Sequence, residues 1–344
     1  MAREISASAA RAGVPFAAAD RIESVRKDIE FSVVSGSSEE MLFSCLESVH
    51  GEMRSNAGRR WSVTVTCSSD AESLVATRVR QRYPHATIVE THLPRDPTSS
   101  HRSVLRQSEA RYVWLIDDDI ILLPGAVARV LAFMERPENS RVAMVGPQLL
   151  NPDGLPTRSG YTFPSMRGIL AEQSGLSRAL EAPLRDRFRR GSGAGSAGPS
   201  KPRVAPETRE VDALPCACIV LKSIAIKQTG VILDGSSKRG AEAEWHRRFQ
   251  ENGWKVMAFA EASVMDYGGL SSQSNVRSKS PESLEEALYF FRTGRPAALV
   301  RLFCASLLGV VGAKAAFGWL LRDSAAVAAA RIHAGIAWRE LTSS

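Results

Sequence analysis

The sequence predicts an α/β protein built on a mostly parallel sheet flanked by helices. Three observations predict it. From Phe31 onward, short β-branched and apolar runs alternate with stretches of helical spacing. The first two of these runs end in polar turns, at Ser35-Gly36-Ser37-Ser38 and Cys67-Ser68-Ser69-Asp70. A third run, Tyr112-Val-Trp-Leu-Ile116, stops abruptly at Asp117-Asp118-Asp119. In such sheets ligands gather at the carboxyl ends of the strands, and all three polar endings open onto that edge.

The elements follow in order. Glu30–Ser35 reads as a strand, and Gly36–Glu40 as a turn with helix N-cap chemistry. Leu42, Cys45, Leu46 and Val49 fall at helical spacing across Met41–His50. Trp61–Thr66 is the second strand, a helix runs through Val79, and Ala86–Glu90 is the third strand. Ser103–Ala110 reads as helix, Tyr112–Ile116 as strand, Gly125–Met134 as helix and Val142–Gly146 as strand. Residues 151–177 are turn-rich, punctuated by Asn151-Pro-Asp-Gly154 and Phe163-Pro-Ser165. A Gly/Ser/Pro/Arg stretch, 189–207, is expected to be a mobile loop and a lid over substrate. Strand Cys218–Leu221, an acidic-aromatic helix at Glu242–Glu251 and strand Trp254–Phe259 complete the body. From Leu284 the chain reads as helices. This divides the chain into a leader (1–28), a main domain (29–269, with halves 29–150 and 151–269) and a helical region (270–344).

Composition narrows the function classes. The 344 residues are 44% hydrophobic and 24% charged, which excludes a wholly disordered chain. The net charge of +7 is concentrated in 178–210 and 271–344, each net +4, patches suited to an anionic partner. They lack interleaved aromatics, so nucleic acid is not expected. Five cysteines with unsuitable spacing speak against structural zinc and for a reducing compartment. Residues 1–30 hold no apolar core of a signal peptide, so a cytoplasmic location is expected, with the protein peripheral on the inner face of the cell membrane. Leu302–Ala313 is uncharged, and allowing Lys314 extends the apolar run to Leu321. Three readings stand for it: a packed helix, an interfacial helix against acidic lipid, or a span.

The triple aspartate carries the chemistry. Residues two apart in an extended chain point to the same side, so Asp117 and Asp119 can share one divalent ion. Hard oxygen donors suit Mg²⁺ or Mn²⁺, which in turn grip a diphosphate. A second acidic cluster lies in Ala241-Glu-Ala-Glu-Trp-His-Arg-Arg248. On a helix Glu242 and Glu244 diverge by roughly 200°, so they do different jobs. One can face a cleft as a general base while the other pairs with Arg248.

In order and spacing, residues 29–269 resemble a family 2 glycosyltransferase with the GT-A fold. The resemblance rests on Phe31–Ser35 with Leu42–Val49, on Tyr112–Asp119 with Pro124-Gly125, and on Val211–Val220. It rests further on Gly230–Asp234 and on Glu242-Ala-Glu-Trp-His-Arg-Arg248 with Gly253-Trp254, the last being similar to a block of rhamnosyl- and galactofuranosyltransferases. The resemblance implies an inverting transfer from a nucleotide-sugar donor, such as dTDP-rhamnose or UDP-galactofuranose, to a glycan or lipid-linked acceptor in cell-envelope polysaccharide synthesis. It makes Glu242 the catalytic base and adds Asp266, in place of the family's histidine, to Asp117 and Asp119 as metal ligands. Ser35, Asp70, Arg102 and Asp118 become nucleotide contacts, while Asp212, Glu244, Trp245 and Arg248 serve the acceptor side or support it. Trp245 and Trp254 read first as core aromatics, with stacking on a sugar as the other reading. The chain departs from the family at Ala241, at Glu242 in place of aspartate, and at Val65-Thr66-Cys67, where a base-contacting "VDN" is usual.

Two other functions compete. A nucleotidyltransferase on a similar sheet needs a basic glycine-rich loop after the first strand, and Ser35–Glu40 has no basic residue. A non-catalytic membrane-associated relative would tolerate the departures at Ala241 and Asp266.

Overall fold

A computed structural model describes residues 27–68, 73–91, 100–174, 207–232, 238–268, 281–320 and 324–342. Asp70, nearly all of the leader and the expected lid, apart from residue 207, lie outside the described residues.

A nine-stranded sheet organises the chain. Its first half comprises β1 (Ile29–Val34), β2 (Trp61–Ser68), β3 (Thr87–Thr91) and β4 (Tyr112–Asp117), in the order β3-β2-β1-β4, all parallel. The second half is mixed. β8 (Cys218–Lys222) runs antiparallel to both β4 and β6 (Val142–Leu150). β9 (Lys255–Asp266) lies parallel to β6, with short β5 (Ile120–Leu122) and β7 (Arg209–Glu210) antiparallel to it. Two reversals restore the direction, so β9 ends on the same edge of the sheet as β1 and β4.

Helices cover both faces. α1 (Glu39–Ser55) begins at Ser38, whose hydroxyl accepts the Met41 N–H, with Glu39 and Glu40 favouring the positive helix end. α1 packs with α4 (Ala126–Met134) on one face, burying Leu42, Leu46, Val130 and Leu131 against Phe31, Val65 and Trp114. The buried Glu52 carboxylate joins the two helices, accepting the N–H groups of Gly125 and Val127 at 2.7 and 2.8 Å. Gly125 sits there at φ 81°, a conformation that favours glycine. Ser48 of α1 accepts the Leu122 N–H and so anchors β5 as well.

The other face carries α3 (Arg102–Gln107), α6 (Ser223–Thr229) and α7 (Lys238–Glu251), while α2 (Ser73–Arg82) lies beside β3 on the α1 side, where Val79 joins the first cluster. Trp245, Phe249 and Trp254 fill the core there against Leu115, Ile219 and Val256. A third apolar cluster joins α5 (Met166–Gln173) to α8 (Pro281–Gly294), α9 (Ala297–Leu320) and α10 (Ser324–Thr342).

The helix α5 falls inside the stretch expected to be turns. Ser165 caps it by accepting the Gly168 N–H, and Ile169 secures it through packing against Leu284 and Phe303, which no local pattern reveals. β9 likewise runs seven residues past the expected end at Phe259, because its far part gains β5 as a partner. The helix expected to reach Ala110 ends at Gln107.

Candidate active site

Pairing register assembles the site. Val34 lies opposite Asp117, so the loop after β1 borders the triple aspartate. Ile120 lies opposite Asp266, and the Tyr267 N–H donates to the Asp119 carbonyl at 3.0 Å. Asp119 and Asp266 therefore converge although they are remote in sequence. Gly268 is packed between them: a Cβ added there would collide with Oδ2 of Asp119 and stand 3.5 Å from Oδ1 of Asp266.

The electrostatics follow from this crowding. Burial, reinforced by the charges of Asp117, Asp266 and Asp118, pushes the Asp119 carboxyl up to about 7. Such crowding is relieved by a proton or by a cation. Among the described residues, no three acidic, histidine or cysteine side chains stand close enough together to hold an ion between them. The arrangement fits the magnesium-like mode in which one or two carboxylates share the ion with water and substrate phosphates. Asp119 and Asp266 are the pair that would hold it, with the expected third ligand, Asp117, beside them but not joined to them in one three-residue group.

Asp118 faces a different task. It is buried, and its carboxylate accepts the Gly36 N–H at 2.7 Å and the Ser37 N–H at 2.9 Å. It thereby fixes the loop that carries Ser35, whose own N–H donates to Thr66. Expected as a nucleotide contact, Asp118 braces the loop after β1.

Sequence reasoning missed His101. It is buried beneath the site, with Nδ1 2.8 Å from the Ser32 hydroxyl of β1 and Nε2 3.8 Å from Oδ1 of Asp117. A histidine just after an unpatterned stretch, with its partner inside a strand, gives no spacing signal.

The acceptor-side block is a brace too. Trp245 is fully buried and donates its indole N–H to the Gly230 carbonyl at 2.9 Å. Arg248 donates to the carbonyls of Thr229 and Val231, and Arg102 to that of Ile232. Consecutive carbonyls are thus gripped by side chains of α7 and α3. Glu244, buried, holds Arg248 at 3.0 Å. These contacts give Arg102 and the two tryptophans bracing roles. Arg102 is buried on a backbone carbonyl where a phosphate contact was expected. Trp245 and Trp254 lie in the core with their indole N–H groups bonded to Gly230 and Gln228, so neither offers a face to a sugar.

Glu242 stands in the second turn of α7, half-buried. One turn on, the fully buried His246 holds the Glu242 carbonyl through Nδ1 at 2.7 Å, while its Nε2 accepts the Leu214 N–H. Those partners fix the Nδ1–H tautomer, and burial pushes the ring down to about 4, so it is neutral. Asp212 accepts the Phe163 N–H at 2.8 Å and shapes the same wall. The five cysteines are buried and none is in a disulfide.

No protein-family model matches this chain, and no curated protein is significantly similar in sequence. Solved structures match at a distance. TarS 1-349 of S. aureus is 11% identical, with 81% of this chain and 65% of that one covered and a TM-score of 0.44. The mannosyltransferase PcManGT of Pyrobaculum calidifontis, solved with GDP-Man and Mn²⁺, is 11% identical over 93% of this chain and 88% of that one, TM-score 0.46. GalNAc-T7, solved with UDP, GalNAc and Mn²⁺, is 10% identical over 77% and 48%, TM-score 0.49. The chain thus spans under two thirds of the TarS fragment and about half of GalNAc-T7. These are likenesses in the course of the chain and carry no residue roles across.

Proposed function

We propose that the protein is an inverting GT-A glycosyltransferase, using a nucleotide-sugar donor and a glycan or lipid-linked acceptor at the cytoplasmic side of a membrane. The observation that supports this reading is the approach of Asp119 and Asp266 at the carboxyl edge of the sheet, next to Asp117 and a loop braced by Asp118. Such a cluster favours a divalent ion and a diphosphate over a neutral ligand. A bound Mg²⁺ or Mn²⁺ supplies positive charge that offsets the charge building on the nucleoside-diphosphate leaving group.

The chain's own residues do the rest. Glu242 takes the proton of the acceptor hydroxyl as that oxygen bonds to the anomeric carbon and the carbon–phosphate oxygen bond breaks on the opposite face. His246 holds the backbone at Glu242, so the base is positioned before substrate arrives. Glu244, Trp245 and Arg248 keep the 229–232 turn in place at the foot of α7. The resemblance in this block favours a deoxyhexose or furanose donor, in the manner of dTDP-rhamnose or UDP-galactofuranose.

Calorimetry with a panel of nucleoside diphosphates and nucleotide sugars, with and without Mn²⁺, tests the reading. Metal-dependent binding of one nucleotide, lost in Asp119→Ala, supports it. A folded protein that binds no nucleotide sinks it.

A further inference from the structure

The C-terminal helices carry a surface that the chemistry at the carboxylates does not use. α9 is the only described helix long and apolar enough to cross a bilayer, yet just 28% of its apolar window is buried. A core helix would hide that window. Its inner face, Val300, Phe303, Cys304, Leu307 and Val311, packs with Ile169 of α5 and with Leu284 and Phe291 of α8. Its outer face is a continuous apolar and small stripe at three- and four-residue steps: Leu302, Ala305, Gly309, Ala313, Ala316 and Leu320, all exposed. Leu302 is 63% exposed and Trp319, beside the stripe's end, 77%. On α10, Ile332 and Trp338 add exposed apolar area.

Charge selects the occupant. Arg301 and Lys314 are exposed on opposite flanks of the stripe, and α9 contains no acidic residue. Arg295 and Arg331 are also exposed, with no ion-pair partner among the described residues. A two-fold pairing of this face with a second copy would set these cations near one another with nothing acidic on α9 to receive them. Anionic headgroups receive them, while their alkyl stems and the exposed tryptophans suit the interface between headgroup and acyl chain.

We propose that α9 seats the protein on an anionic bilayer, lying in the plane of the surface with the Leu302–Leu320 stripe inserted among the headgroups. A spanning arrangement is disfavoured by the inner face, since withdrawing α9 from α5 and α8 would expose the third apolar cluster. The proposal stands independently of the transferase reading.

Flotation with vesicles of phosphatidylcholine, with and without phosphatidylglycerol, tests it on the full chain. Binding at least about tenfold tighter to the anionic vesicles, weakened by salt, is expected. The double variant Leu302→Glu/Leu320→Glu should abolish flotation, and Arg301→Gln/Lys314→Gln should remove the preference for phosphatidylglycerol. Both pairs are exposed, so thermal midpoint and nucleotide binding should stay at wild-type values. Three results overturn the proposal: no flotation with either vesicle, flotation unchanged in the glutamate variant, or a solution dimer that Leu302→Glu dissociates. Absence of nucleotide binding by the wild-type protein, with flotation intact, would count against the transferase reading alone.

Discussion

Trp245 donates its indole N–H to the carbonyl of Gly230, and the aromatic ring making that bond is fully buried in the core. The turn leading from α6 towards α7 is therefore set by the interior of the protein. Glu244 reinforces it through Arg248, which holds the flanking carbonyls. Trp245→Phe should keep the ring packing but orphan the Gly230 carbonyl, costing about 1–3 kcal/mol. Arg248→Leu should cost more, about 3 kcal/mol, because the carbonyls of Thr229 and Val231 lose their donor and the buried Glu244 carboxylate keeps only the longer 3.8 Å contact with Arg247. Urea denaturation ranks the two, and a reversed order would show that the ion pair is not what holds the turn.

Asp118 links the metal-side strand to the first loop, so its removal should be felt in both stability and binding. Asp118→Asn retains one acceptor for Gly36 or Ser37 and should cost about 1 kcal/mol, whereas Asp118→Ala should cost about 2. Nucleotide affinity should fall in the same order, because Ser35 rides on that loop. Equal affinities in the two variants would mean that the loop is held by something else.

Two groups give opposing pH dependence. Asp119 keeps its proton in the fold up to about 7, while its ordinary value is 3.8. The stability it contributes is present at low pH and lost as pH rises between those values. His246 stays neutral in the fold down to about 4, while its ordinary value is 6.5. Its contribution is full above 6.5 and is lost as pH falls toward about 4. Metal-free wild-type protein should therefore show a shallow profile across this window. Asp119→Asn leaves the histidine slope alone and should lose stability more steeply on acidification, as thermal melts will show.

Metal binding should couple to the same proton. At about pH 6 an entering ion displaces the proton from Asp119, and at about pH 8 there is none to displace. Calorimetry of Mn²⁺ in buffers of different ionisation enthalpy should report release near one proton at the lower pH and close to none at the higher. Equal release at both would remove Asp119 from the ligand set.

Gly268→Ala should separate fold from site. The new methyl collides with Oδ2 of Asp119 and presses on Asp266, so Mn²⁺ affinity should drop about 10–100-fold. The circular dichroism spectrum should be unchanged, because Gly268 follows the end of β9. Unaltered Mn²⁺ affinity would mean that the ion sits away from this carboxylate pair.

The sequence made legible those features that local spacing encodes. The parallel strands β1 to β4 show as apolar runs, the triple aspartate stands at a strand end, and Glu242 and Glu244 separate by their helical angle. What escaped depends on contacts between distant segments. β5 is three residues long and exists because β9 is beside it. Ser32 and His101 meet across the space between β1 and α3, and neither residue type nor position flags them. Arg102 and Trp245 were visible as residues fit for ligands, yet their polar atoms are engaged by backbone carbonyls, a distinction only the three-dimensional path of the 229–232 turn supplies.

The pairing of β5 with β9 also fixes when the site can come into being. Asp119 and Asp266 are separated by almost a whole domain's length of chain, and they meet only after the last strand has threaded in beside β6. A sheet that lacks β9 lacks β5 and β7 as well, since both pair with it, and holds Asp117 and Asp119 without Asp266. Long-range strand pairing of this kind forms late. The pair of carboxylates therefore exists only once β9 has joined the sheet, which makes the site a product of the completed fold.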